Sequence, residues 1–212
     1  MFKIFKNTKL VNEREALEGS NNFVSPPKRH HVNGEKIIPP WPENTQRVLL
    51  GLGCFWGAER IFWETEGVFV TSVGYSGGFT TNPSYEEVCS GNTGHAEVVE
   101  IIFKQEKISF KEILCIFFES HNPTQGMRQG NDRGSQYRSI IFFDSEIQRK
   151  IADSILKYYN EQLTSRGFKD ITTELKPTTD YYLAENYHQQ YLSKVPNGYC
   201  GLKGTGVECN NV

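Results

Sequence analysis

The chain has 212 residues, 37% of them hydrophobic and 13% aromatic, and its 23 basic and 25 acidic side chains give a formal net charge of -2. This length and composition suit one folded domain with a substantial core and some extensions, and the balanced charge gives no electrostatic reason to expect nucleic acid or an anionic membrane as a partner. Five cysteines, at positions 54, 89, 115, 200 and 209, are odd in number and widely spread, which suits reduced or catalytic thiols in the cytoplasm better than a secreted disulfide framework.

At the start, Lys3, Lys6 and Lys9 accompany only Phe2, Ile4 and Phe5 as apolar residues, too few for a signal-peptide core, and Glu13, Glu15 and Glu18 do not fit an acidic-poor transit peptide. No stretch approaches the length of a membrane span. Residues 1 to 45 lack sustained periodicity and hold Pro26-Pro27, Pro39-Pro40 and Pro42, so they are expected to lie as an arm on the domain formed by residues 46 to 196. Within that domain, residues 47 to 53 read as a buried strand around Val48-Leu49-Leu50, and Ala58, Ile61 and Phe62 give residues 54 to 65 helical spacing. Residues 67 to 75 alternate as a strand and run into Ser76-Gly77-Gly78, and Ala96 to Phe103 is another strand.

Ser109 is placed to cap a helix that ends at Ser120, with Phe110, Ile113, Leu114, Phe117 and Phe118 on its apolar stripe. A loop from His121 to Ser135 follows, then a strand over 136 to 143, a helix over 145 to 165, a short strand near 172 to 175 and a helix near 184 to 193. Strands separated by helices indicate a mixed α/β layer architecture. In the tail, residues 197 to 212, Gly198, Gly201, Gly204 and Gly206 leave the backbone nearly unrestrained around Cys200 and Cys209. Two thiols on such a segment suggest a mobile arm that visits a reactive cysteine and leaves again.

Cys54 is the candidate for that cysteine. It stands at a strand-to-helix junction in Gly53-Cys54-Phe55-Trp56-Gly57, where unpaired amides and the helix dipole favour an anion and are expected to push the thiol toward thiolate. An unperturbed thiol is only roughly 3% ionised at neutral pH. Phe55 and Trp56 are expected to wall an apolar pocket beside the sulfur. Strand alternation puts Glu97 on one face with Val99, Ile101 and Phe103, where burial favours a protonated carboxyl and hence a general acid. Asp132, Tyr137 and the upstream Tyr85 are further hydrogen-bonding candidates for a polar substrate atom, with Asp132 in a long glycine-rich loop. Cys89 and Cys115 read as packing thiols.

Other chemistries fit less well. Gly51-Leu52-Gly53 with Gly57 has Trp56 where a dinucleotide loop needs its third glycine, and Cys200 and Cys209 lack the clustered partners of a zinc site. A cysteine hydrolase pairing Cys54 with His95, His121 or His188 stays open on spacing alone, as does a module that binds a ligand without turnover.

The motifs Gly53-Cys54-Phe55-Trp56-Gly57, Thr93-Gly94-His95-Ala96-Glu97, the run Gln125 to Arg138 and Gly198-Tyr199-Cys200-Gly201 resemble those of the A-type peptide methionine sulfoxide reductases, over residues 46 to 209. The resemblance implies a ferredoxin-like split βαβ core with additional helices and long coil arms at both termini. It implies reduction of methionine-S-sulfoxide, free or in peptides and proteins, with Cys54 as nucleophile, Glu97 as proton donor, Tyr85, Asp132 and Tyr137 around the sulfoxide oxygen, and Phe55 and Trp56 holding the methyl group. Methionine sulfoxide has two epimers at sulfur, each reduced by its own type of enzyme, so the S assignment is inherited from the family. Cys200 and then Cys209 would resolve the Cys54 sulfenic acid, and thioredoxin would reduce the final disulfide. No metal, flavin or nicotinamide is implied.

Overall fold

The computed structural model describes residues 8 to 209. The expectations placed on the first seven residues and on the last three of the tail therefore lie outside the described residues. Residues 8 to 44 contain no helix or strand. They run as coil against the domain: the Leu17 amide donates to the Asn92 carbonyl, the Ser20 amide to the Thr81 carbonyl, and a buried Ile37 packs on Val70 and Ile102.

The central sheet orders its strands β7-β6-β1-β3-β2-β8. β1 (Thr45–Leu52) pairs antiparallel with β3 (Ala96–Lys104) and β6 (Ser139–Phe143), and β3 pairs antiparallel with β2 (Val68–Ser76). β7 (Glu174–Pro177) adds in parallel beyond β6, and β8 (Tyr181–Leu183) adds antiparallel beyond β2. The sheet is mixed and carries helices α1 (Phe55–Trp63), α3 (Phe110–Ser120) and α4 (Glu146–Ser165).

Period-two alternation divides β1 and β3 between two cores. Val48, Leu50 and Leu52 join Val99, Ile101 and Phe103 under the three helices, whereas Leu49 and Val98 form a smaller cluster on the other face with Ala96, Ile140 and Phe142. Glu97 belongs to the helix-covered face by parity, which brings its carboxyl beneath the start of α1.

Several boundaries differ from the sequence reading. α1 begins at Phe55 with Cys54 as its N-cap. Ser84 forms a capping box with Glu87 and starts α2 (Tyr85–Ser90), which apolar spacing did not suggest. The 128–133 loop contains a small ladder of β4 (Arg128–Gln129) and β5 (Asp132–Arg133), and residues Ser135–Tyr137 form a single 3-10 turn ahead of β6. The helix expected near 184 to 193 is reduced to α5 (Tyr191–Lys194), because Gln190 takes a left-handed conformation at φ 48° and the Gln189 side chain bonds both the amide and the carbonyl of Val73.

The tail is docked along the helices, with Leu202 and Val207 packed on the main core. Its backbone is held by the Tyr159 hydroxyl, which donates to the Val207 carbonyl at 2.7 Å, and by Glu119, which accepts from the Cys209 amide at 2.6 Å. Glycine content alone does not reveal these anchors.

Candidate active site

β1 ends at Leu52, Gly53 turns the chain at φ 112°, and Cys54 is set at the N-terminus of α1. A side chain at Gly53 would be strained by that φ and would also collide with Gln129. Cys54 is buried, with 7% of its surface exposed, and Phe55 enters the core between Tyr75 and His188, leaving Trp56 half-exposed.

The sulfur faces the amides of Trp56 and Gly57, which favour thiolate, yet they make no cap hydrogen bond to it. Burial raises the thiol well above its ordinary range, and the charge of Glu97 raises it further. The expected net displacement toward thiolate is thus reversed: the favourable helix end is outweighed by removal of the sulfur from water next to a carboxylate.

Glu97 is 2% exposed, and its Oε2 accepts from the Phe55 amide at 3.1 Å, so the carboxyl supplies the cap that Cys54 does not. Three tyrosines lie close enough to feel its charge, the hydroxyl of Tyr75 being taken by Glu185. Tyr75 is its cross-strand partner; Tyr85 comes from the start of α2, and Tyr137 from the 3-10 turn. All three titrate above the ordinary tyrosine range, chiefly through burial and with Glu97 contributing, so each keeps its proton as a donor. Asp132 adds negative charge near Cys54 and Tyr137. Buried Arg138 fixes this corner by donating to the carbonyls of Ser135 and Gly94.

An aromatic wall closes the other side. The Trp56 and Tyr191 rings stack at 4.0 Å between centroids, and His188 lies 4.4 Å from Tyr85 and 5.2 Å from Phe55. Trp56 Nε1 donates to His188 Nδ1 at 2.9 Å, which puts the imidazole proton on Nε2. Burial lowers the His188 pKa to about 4, leaving it neutral near pH 7.

Each of the three candidate base histidines is hydrogen-bonded to another group, and none to Cys54. His95 accepts from the Gly78 amide and donates to the Thr80 carbonyl, His121 bonds the Phe117 carbonyl and the Ser139 hydroxyl, and His188 is held by Trp56. Among the described residues no group of three or more His, Cys, Asp or Glu is arranged to hold a metal.

Of the seven polar candidates, Cys54, Glu97, Tyr85, Asp132 and Tyr137 share one cluster. Cys200 approaches it from the tail: a Cβ at Gly57 would lie 2.7 Å from the Cys200 sulfur, and Arg60 donates to that sulfur at 3.7 Å. Cys209 is elsewhere, buried against Cys115 and Glu119 on α3. Tyr75, Glu185, Tyr191 and Tyr199 were missed. Glu185 accepts from the Tyr75 hydroxyl and the Tyr85 amide, and the Tyr199 hydroxyl bonds Asp132. Tyr75, Glu185 and Tyr191 lie in segments whose periodicity was read, but nothing marked them as functional; the accumulation of tyrosines was the one signal for the three phenols.

Comparison with known proteins gives a consistent picture. The family model described as peptide methionine sulfoxide reductase matches residues 46–209. The mitochondrial peptide methionine sulfoxide reductase of Homo sapiens is 53% identical over 200 residues, 94% of this chain and 85% of that protein. The solved methionine sulfoxide reductase A of Corynebacterium diphtheriae is 43% identical with a TM-score of 0.86, covering 95% of this chain and 98% of its own. Mxr1 of Saccharomyces cerevisiae in complex with Trx2 shares the fold at 20% identity and a TM-score of 0.53, covering 79% of this chain and 94% of its own.

Proposed function

The chain belongs to the A-type peptide methionine sulfoxide reductases and reduces methionine sulfoxide, and from that premise we propose that Cys54 is its nucleophile and Glu97 its acid, acting on the S epimer. The observation that carries this reading is the Cys54–Glu97 pair itself: a buried thiol and a buried carboxyl that influence each other and share the N-terminus of α1.

In the resting pair one proton resides on sulfur, because burial and the Glu97 charge hold it there. Moving that proton to Glu97 creates the nucleophile and the acid together. Glu97, aided by the phenols of Tyr85 and Tyr137, then delivers the proton to the sulfoxide oxygen while Cys54 attacks sulfur. The balanced outcome is methionine and a Cys54 sulfenic acid. Phe55 and Trp56 hold the methyl end of the substrate, where burying one methyl-sized group contributes about 0.8 kcal/mol.

Cys200, already over the first turn of α1, condenses with the sulfenic acid to give the 54–200 disulfide and water. Cys209 takes over the bond to Cys200 after the tail lifts, freeing Cys54, and a thioredoxin reduces the product. The named Trx2 complex of the yeast relative supports that choice of reductant. Two electrons per turnover pass through thiols, so the scheme uses no bound metal, flavin or nicotinamide. The odd number and wide spread of the five cysteines suit a reducing compartment such as the cytoplasm, and no described helix is long and apolar enough to cross a membrane.

The test is mass spectrometry of an oxidised peptide with a dithiol as the only reductant. The wild-type protein should remove one oxygen, and folded Cys54→Ser should remove none; retained activity would sink the nucleophile assignment. With thioredoxin in place of the dithiol, Cys209→Ser should form the 54–200 disulfide but recycle poorly.

A further inference from the structure

Cys115 reads as a packing thiol from its place beside the stripe of α3, but the docked tail gives it a partner. Its sulfur donates to the carbonyl oxygen of Cys209 at 3.6 Å, and the two side chains are near enough for each to shift the other's titration. We propose that Cys115 is a fourth thiol of the relay, which receives the oxidation from Cys200 by forming a disulfide with Cys209; this rests on the reading of Cys200 and Cys209 as recycling cysteines.

The tail anchors separate the two recycling thiols. Cys200 rests on α1 against Gly57 and Arg60, whereas Cys209 rests on α3, its amide held by Glu119. Between them Leu202 packs near Gly53 and Gly57, Gly204 abuts the backbone of Glu119, and Val207 is buried with its carbonyl held by Tyr159. The docked tail therefore assigns Cys200 and Cys209 to different helices. A 200–209 disulfide forms with the tail lifted and strains against these anchors when the tail returns. A 115–209 disulfide joins two groups that docking already brings together.

The exchange balances without another oxidant. The Cys115 thiolate attacks the Cys209 sulfur of the 200–209 disulfide; the S–S bond to Cys200 breaks, a bond between Cys115 and Cys209 forms, and Cys200 leaves as a thiolate that takes up the proton lost by Cys115. Cys115 and Cys209 are then the oxidised pair and Cys200 is reduced. Its sulfur returns to the position where Arg60 donates a hydrogen bond to it. The oxidising equivalent comes from the sulfoxide.

Trypsin distinguishes the crosslinks, since cleavage after Lys111, Arg128, Lys194 and Lys203 puts Cys115, Cys200 and Cys209 on separate peptides. After one turnover on an oxidised peptide without reductant, thiols are blocked and crosslinked peptides are mapped. The wild type should yield the 115–209 crosslink in excess over 200–209, on the order of tenfold. Cys115→Ser and Cys115→Ala should both shift the crosslink to 200–209. Wild-type protein that stops at 200–209 with no 115–209 peptide overturns the proposal. A second measurement needs no turnover: folded Cys54→Ser, titrated with oxidised glutathione, should join 115 to 209, and failure to do so also overturns it. Cys209→Ser separates this from the underlying reading, because loss of its 54–200 crosslink would show the recycling assignment itself to be wrong.

Discussion

At Cys54 a helix end and a buried carboxylate pull the same proton in opposite directions, and burial decides the outcome. Removing the Glu97 charge should therefore lower the thiol's titration while leaving it above the ordinary range, because burial remains. Alkylation of Cys54 followed across pH should show a lower midpoint in Glu97→Gln, and the sulfoxide step should slow by about 10²- to 10⁴-fold with the acid gone. An unchanged midpoint would mean that the two groups do not titrate together. Glu100, three residues along, faces the opposite side of the sheet, where it binds Arg47 at 2.6 Å and Ser72 at 2.8 Å; Glu100→Gln should affect stability and leave the alkylation profile alone. The face of Glu97 was legible because a strand has a strict period of two. The sign of the Cys54 shift was not, because it depends on how completely Phe55, Tyr75 and the tail exclude water.

α1 does more than present its first turn. Gly57 leaves the space that the Cys200 sulfur fills, and its place in a glycine motif was visible without any hint of what would fill the gap. Gly57→Ala should gain up to about 1 kcal/mol of helix propensity. It should nevertheless slow closure of the 54–200 disulfide by about 10²-fold, since displacement of a reacting atom by an ångström has that scale. Quenched-flow mapping of the crosslink, compared with the rate of methionine release, checks this; equal rates in both proteins would remove the close-packing argument. Further along α1, Glu59 accepts from the Gln190 amide at 2.7 Å and from its side chain at 2.6 Å. That clamp holds the segment carrying His188 and Tyr191 against Trp56. Sequence periodicity suggested a regular helix there, because a left-handed Gln190 stabilised from another element leaves no local signature. The S-x-x-E pattern at Ser84 was, by contrast, a readable start signal for α2.

For the whole molecule, buried titratable groups set opposing trends with pH. Burial raises Glu59 from 4.5 to about 7, so its contribution to stability is fully present below pH 4.5 and is lost as pH rises to 7. His30, His121 and His188 are lowered from 6.5 to about 4 and act in reverse, losing stability as pH falls through that interval. Comparison of wild type with Glu59→Gln isolates the first trend: the wild type should lose about 3 kcal/mol relative to the variant between pH 4.5 and 7. Chemical denaturation at several pH values measures it, and a pH-independent difference would place Glu59 among ordinary carboxylates. Mixed strand and helix architecture was readable from hydrophobic patterning, whereas the docking of the tail was hidden by its glycines, because its anchors are supplied by Glu119 and Tyr159 on distant elements. The depth of Cys54 also bears on which damaged proteins are served. With Cys54 as the proposed nucleophile, a residue only 7% exposed should be reached best by a side chain that protrudes, with backbone on either side free to stand away from its own fold. A client that holds its oxidised methionine in a rigid surface should therefore be repaired more slowly than the same segment unfolded, which a comparison of repair rates for the folded and denatured client measures.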